Sequence, residues 1–343
     1  MTIYKPLIHE IPNIDNIFDS DSNIIFSDCE SLPLLSLGYH YFIKQTREKM
    51  NDDKIRNGTF FLVTNEFESK IKDYDNDIDN YTKKKYKLKE ISNRFYEMWE
   101  IMLYFELNKG KTLNCLQIGG DNLLSESIKL NRNNKSDKFI LDITKMKNEA
   151  DLILFDIILE KSNNMEQQIY KELLEGIIKG IKHQKKGGNF ILRIYDTFTE
   201  FTIRIICILK SIYNKVFICK PIINKSFLSS KFIICKKFES KNNKNTITKL
   251  NSILNEINRN KTKKILNIFK NYKLNSKLIN LITIINLNLI NNEYKSINEI
   301  IRYKDSENYY GEQYHKYRDE QIKNNKWWIK TFYESENYKK IIG

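Results

Sequence analysis

The chain has 343 residues, room for one catalytic-size domain with extensions or for two small domains, since single cores stop growing near ~250–300 residues. Its net charge of +14, from 57 Lys and Arg against 43 Asp and Glu, points to a polyanionic partner (RNA, DNA or an anionic membrane surface), with a general enrichment in Asn, Ile and Lys inflating that signal. At 41% hydrophobic and 12% aromatic residues the composition excludes a largely disordered chain, and the longest apolar run, Leu278–Ile290, is interrupted by Asn and falls short of the ~20 residues of a membrane span.

Cys29, Cys115, Cys207, Cys219 and Cys235 form no CxxC pair, and three of them lie in apolar runs where Cys acts as a small core hydrophobe, so a reducing compartment is expected. His9, His40, His183 and His315 show neither triad nor metal spacing, and no metal is expected. The first sixteen residues have no signal or transit character, which predicts a soluble, intracellular protein without a membrane partner.

In chain order, Leu34–Met50 reads as a helix, and Thr59–Phe67, dense in β-branched and aromatic residues, as a strand. Lys70–Lys89 lacks periodicity and reads as a solvated connection, whereas Ile91–Phe105 has the spacing of an amphipathic helix. Strands and helices then alternate. A strand ends in Gly119 and Gly120, a helix follows, and Phe139–Ile143 and Ala150–Leu159 are further strands. The helix over Glu166–Gln184 is predicted to stop at Lys185, Lys186, Gly187 and Gly188 as basic last-turn residues and C-cap glycines. The strand NFILRIY, the helix TEFTIRIICILKSIY and two closing strands, KVFIC and KFIICKKF, complete the pattern. Alternation of this kind builds a mostly parallel sheet covered on both faces, of six or seven strands. The last two strands, joined by about ten residues, should pair antiparallel near the sheet edge, because so short a link cannot hold a helical crossover. From Glu239 a polar stretch reads as a linker, followed by a helical, Lys-rich region. The expected division is an N-terminal extension over 1–90, a central domain over 91–238 and a helical basic region over 239–343.

The segment Gly187–Phe238 resembles the FtsJ-like RNA methyltransferases, which run Gly-Gly, a strand with a catalytic Lys, a long helix, a strand, Lys-Pro, a loop and Ser-Glu-Lys-Tyr before a final strand. Upstream, SNRFYEMWEI resembles the family's Ser-Arg helix, LQIGGDN its cofactor loop, FILDIT its Gly-Asp-Ile-Thr segment and ADLILFD its Asp-bearing strand. The nearest flavour is that of large cytoplasmic DNA viruses. The resemblance implies a Rossmann-type α/β fold, S-adenosylmethionine as cofactor and the ribose 2′-hydroxyl of capped mRNA as substrate, in the host cytoplasm or a virion. The family's Lys-Asp-Lys-Glu catalytic set falls on Glu97, Asp156, Arg193 and Ser230, so only Asp156 is retained. A guanidinium cannot deprotonate near neutral pH and cannot act as a base. The cofactor positions fall on Gly119, Gly120 and Asp142, with Leu113 and Ile118 where the family carries an acidic residue and a Pro; Asp142 fits a helix N-cap equally well. Lys220 and Lys225 stand where relatives lead toward substrate and are the candidate RNA phosphate contacts. Tyr309, Tyr310, Tyr314, Tyr317, Trp327 and Trp328 lie among basic residues and either stack bases or fill a core, with core favoured.

Two functions follow from the altered set. One is a cap ribose 2′-O-methyltransferase with weakened or lost catalysis. The other is a noncatalytic RNA-binding or scaffolding subunit, partnered with capping or polyadenylation machinery.

Overall fold

A computed structural model describes residues 4–34, 37–146, 149–157, 164–239 and 243–342. Among these residues nine strands are formed: β1 (Leu7–Glu10), β2 (Ile24–Ser27), β3 (Asn114–Gly119), β4 (Lys138–Ile140), β5 (Ala150–Asp156), β6 (Gln184–Ile194), β7 (Tyr213–Lys220), β8 (Lys231–Phe238) and β9 (Lys264–Ile268). Seven make one sheet in the order β1-β7-β8-β6-β5-β3-β4, while β2 and β9 pair as a separate antiparallel ribbon. Strands β4, β3, β5 and β6 run parallel. The ten residues between β7 and β8 close a tight antiparallel pair, as their number requires, so β8 is inserted antiparallel beside β6. The antiparallel edge strand β1 has no signal in the sequence beyond the short run LIHE; it covers the open ladder of β7.

The helices are α1 (Leu37–Glu48), α2 (Asp53–Asn57), α3 (Phe60–Thr64), α4 (Ile78–Tyr86), α5 (Asn93–Tyr104), α6 (Leu123–Arg132), α7 (Met165–Gln168), α8 (Tyr170–His183), α9 (Glu200–Ile212), α10 (Asn243–Arg259), α11 (Ser276–Asp305), α12 (Glu312–Phe332) and α13 (Tyr338–Ile342). Strand alternation divides the core between the two faces of the sheet. Ile153 and Phe155 of β5 pack with α8, α9, α10 and α11, whereas Leu152 and Leu154 pack with α5, α6 and α12. The buried clusters therefore draw on the N-terminal, central and C-terminal parts of the chain together.

Several segments depart from the sequence expectation, each for a reason in the packing. The run Thr59–Phe67 contains the helix α3 rather than a strand. Phe60 packs against Tyr303 and Tyr309, and the Gln321 amide donates to the carbonyls of Leu62, Val63 and Asn65, satisfying the helix end. Within Lys70–Lys89, α4 forms because the Asp77 carboxylate caps the Asn80 amide at 2.7 Å and Ile78, Asp79 and Thr82 are buried. The helix α5 is not amphipathic: every residue from Phe95 to Tyr104 is buried, since neighbours cover it all round. Gly187 and Gly188 do not cap α8. The helix ends at His183, β6 begins at Gln184, and the β5–β6 register jumps from Ala150↔Gln184 to Leu152↔Asn189, so Lys185–Gly188 bulge opposite Asp151 alone. Residues 240–242 of the expected linker lie outside the described residues, but Asn243 already begins α10, whose Leu250, Ile253 and Ile257 are buried in the α8 face of the core. Of the run Ala150–Leu159, positions 158 and 159 also lie outside them. Of the C-terminal aromatics, Trp328 is wholly buried, whereas Tyr310 is 75% exposed.

Candidate active site

The parallel strands β3, β4 and β5 end side by side, bringing Gly119–Gly120, Asp142 and Asp156 to one edge of the sheet. This is the edge of an open α/β sheet at which ligands bind. Gly119 and Gly120 adopt φ of +72° and +73°, left-handed values that favour glycine. A Cβ on Gly119 would lie 2.5 Å from the Asp156 carbonyl, and one on Gly120 would lie 3.0 Å from the Asp156 Cβ. The buried Gln117 amide fastens this turn by donating to the carbonyls of Gly119 (3.0 Å) and Asp121 (2.7 Å). Asp142 caps the 3-10 turn Ile143–Lys145, accepting from the Thr144 amide at 3.0 Å and its hydroxyl at 2.7 Å, and these bonds hold its carboxyl below the usual range.

The four positions that the family resemblance sets against catalytic residues, Glu97, Asp156, Arg193 and Ser230, meet in one buried cluster. The register Phe155↔Leu192 sets Asp156 and Arg193 at equal height on adjacent parallel strands, so their side chains share a face. Arg193 Nε donates to Asp156 Oδ1 at 2.5 Å and Nη2 to Glu97 Oε2 at 2.8 Å, while the guanidinium lies 4.5 Å from the centre of the Phe232 ring. All three charged residues are 4% exposed. Burial alone would lower the Arg193 pKa; Glu97 and Asp156 outweigh it and hold the guanidinium above its ordinary value, firmly protonated. Ser230 enters through Asn224, whose Nδ2 donates to Glu97 Oε1 (2.7 Å) and Ser230 Oγ (3.2 Å). On the outer side, Arg94 Nη1 lies 3.5 Å from Asp156 Oδ2 and 3.8 Å from Asp121 Oδ2. Asp156 Oδ2 is buried and accepts no hydrogen bond among the described residues.

Neither lysine expected to touch phosphate is free to do so in this conformation. The Lys220 ammonium is turned inward, donating to the carbonyls of Leu228 and Ser230, and burial lowers its pKa to about 7. Lys225 pairs with Glu68 at 3.2 Å and lies 5.5 Å from the centre of the Phe61 ring.

Sequence reasoning missed Asn224 and Arg94. Arg94 carried a signal, standing one turn before Glu97 on the same helix face. It also missed a second cluster at the end of β6. Arg47 of α1 bonds Asp196 with both terminal nitrogens (2.8 and 2.9 Å) and Glu293 of α11 with Nε (2.5 Å) and Nη2 (2.8 Å). Beside it, buried Lys231 donates to the carbonyls of Tyr195 and Ser229, with its pKa lowered to about 8 by burial against the opposing pull of Asp196 and Glu166.

Residues 121–238 match the model of the FtsJ-like methyltransferases. The matched segment, about a third of the chain, is similar to that family. Its similarity to cap-specific mRNA (nucleoside-2′-O-)-methyltransferase 1 is 38% identity over 77 residues for the Dictyostelium discoideum protein and 28% over 120 residues for that of Mus musculus. These matches take in 22% and 34% of the present chain but 10% and 14% of the two relatives. An uncharacterised protein of Acanthamoeba polyphaga mimivirus is 24% identical over 98% of the chain and 93% of its own length. The matched residues run from just past the Gly119–Gly120 turn to the end of the inserted antiparallel strand β8. Among the described residues no helix is long and apolar enough to cross a membrane.

Proposed function

We propose that this chain is a homologue of cap-type RNA ribose 2′-O-methyltransferases that binds S-adenosylmethionine and RNA but has lost most or all of its transfer activity. One observation carries the reading: Arg193 occupies the centre of the altered set, locked between Asp156 and Glu97. Transfer to a ribose hydroxyl requires a group that accepts or shares the hydroxyl proton. A guanidinium held above its ordinary pKa offers electrostatic stabilisation only. Glu97, the alternative base, has one oxygen on Arg193 and the other on Asn224.

The cofactor fits the residues at its amino-acid end. Gly119 and Gly120 would give it close approach to the backbone, Asp121 and the unbonded Asp156 Oδ2 would accept from an ammonium, and Arg94 would face a carboxylate. Bound there, S-adenosylmethionine would supply an electrophilic methyl group. Asp142 would serve its adenosine end only by sharing its bonds to Thr144.

A scaffolding role beside capping or polyadenylation subunits is favoured by a separate observation. Leu32, Leu34, Leu37, Tyr39, Tyr41 and Phe42, around the start of α1, are all exposed, an apolar surface of the kind that marks protein contacts. Such work would lie where capped mRNA is made, in the cytoplasm or a virion. Calorimetric titration with S-adenosylmethionine tests the cofactor part. Binding at one site, abolished in Gly120→Val, is expected; no heat of binding to the wild-type chain would contradict it.

A further inference from the structure

At the opposite end of the sheet from Arg193, where β5 and β6 begin and β8 ends, lies a cavity of about 450 Å³ whose lining includes Lys109, Lys185, Lys186, Lys236 and Lys237. Two carboxylates share this lining, Glu106 and Asp151, so five lysines against two acids leave a net charge of +3. Glu106 is taken by Lys109 at 2.5 Å and Asp151 by Lys185 at 2.7 Å. Lys186 and Lys237 are exposed and form no ion pair among the described residues. Lys236 reaches the Phe105 carbonyl at 2.9 Å; burial, with Lys215 and Lys237 nearby, holds its ammonium below its ordinary pKa against the pull of Glu106. An arriving anion would relieve that mutual repulsion.

The backbone is shaped around this charge. The bulge Lys185–Gly188 leaves the β5–β6 ladder, and Gly187 takes φ of +79° although a Cβ there would meet nothing within 4 Å, so the turn itself and not crowding requires glycine. Across the cavity Lys237, a residue with a side chain, is held at φ of +60°, its amide bonded to Asn189 Oδ1 at 3.2 Å. Two left-handed residues thus present neighbouring lysines from two strands. Meanwhile Lys220 and Lys225, beside the other end of the sheet, are turned inward.

From the unpaired lysines, the bulge and the cavity together we infer that this end of the sheet is a binding surface for the phosphate backbone of single-stranded RNA. The surface is separate from the Arg193 cluster, lying roughly 20 Å away along β6 at ~3.3 Å per residue. The inference rests on the reading of the chain as an RNA-binding protein. A strand held here is contacted through phosphates, which carry no sequence information, so recognition is sequence-tolerant and depends on salt through counterion release.

The test is fluorescence anisotropy of the full chain with a labelled, uncapped single-stranded RNA at several salt concentrations, for wild type, Lys186→Glu/Lys237→Glu and the control Lys261→Glu/Lys263→Glu. Circular dichroism verifies folding, and Lys186→Gln/Lys237→Gln replaces the glutamate variant if that one misfolds. The first double variant is expected to bind at least ~10-fold more weakly, with a salt slope shallower by about 1.4 for two lost phosphate contacts, while the control loses less than about 3-fold. Wild-type affinity in the first variant, or equal losses in both, would overturn the assignment while leaving RNA binding intact. Failure of the wild-type chain to bind RNA at all would instead overturn the functional reading and the surface with it. Displacement of the RNA by low-millimolar inorganic phosphate would identify a small-anion site and likewise overturn the proposal.

Discussion

Two arginines at the carboxyl end of the sheet each join a pair of buried carboxylates, and they tie together different parts of the molecule. Arg193 joins Asp156 of β5 to Glu97 of α5, all within the central 91–238 part of the chain. Arg47 joins Asp196, just beyond β6, to Glu293 of α11, and so pins an N-terminal helix and a C-terminal helix at the same end of the sheet. The first cluster is a buried ion-pair network on the positions that the family resemblance sets against a catalytic set. The second is an architectural joint. A buried guanidinium suits both tasks, because it stays charged and its planar fork bonds two carboxylates at once. The same buried fork therefore serves within the central part of the chain and at the joint between its two ends.

Truncating each arginine separates them by magnitude. Arg193→Ala leaves Asp156 and Glu97 buried without their main cation and should destabilise the chain by about 3–5 kcal/mol in urea unfolding. Arg47→Ala should cost less, about 2–3 kcal/mol, because Lys231 and Lys220 remain to share the charge of Asp196 and Glu293. Its loss should also speed hydrogen exchange selectively in α1. An Arg47→Ala loss equal to that of Arg193→Ala, with α1 still protected, would remove the distinction.

Glu100, one turn beyond Glu97 on α5, sharpens the contrast as a buried carboxylate with no guanidinium. It accepts hydrogen bonds from Trp328 Nε1, Tyr104 Oη and the amides of Ile222 and Ile223, yet burial dominates and raises its pKa to about 7. The folded state then binds the proton more tightly than the unfolded state, so the contribution is present below about pH 4.5 and is lost as pH rises toward 7. Wild type should lose on the order of 2–3 kcal/mol relative to Glu100→Gln between pH 4.5 and 7.5. Parallel pH profiles for the two proteins would contradict this. The smallest effect belongs to Asp142→Ala, where an exposed cap is removed; the thermal midpoint should fall by no more than about 3 °C.

Much of this was legible in the residues. Apolar runs gave β3 and β5 to β8, and the short link between β7 and β8 gave their antiparallel pairing, because chain length limits crossovers directly. The alignment to a catalytic set brought out Glu97, Asp156, Arg193 and Ser230, which meet in space. What the sequence hid is long-range. Arg47 lies 149 residues from Asp196 and 246 from Glu293, and no local pattern couples them. Thr59–Phe67 has strand composition, but Gln321, more than 250 positions away, stabilises the helix there. Lys220 and Lys225 looked like phosphate contacts because in the resembling family Lys-Pro starts the loop toward substrate and an Arg stands at the position of Lys225; their inward partners became visible only in three dimensions.

The central claim is that the Arg193 cluster no longer carries catalysis, and a transfer assay with labelled S-adenosylmethionine on capped RNA tests it most directly, comparing wild type with Asp156→Ala. The account predicts little or no labelling by wild type and no further loss in the variant, with RNA binding retained in both. Robust labelling by wild type that the single substitution abolishes would show a working, rewired centre and contradict it.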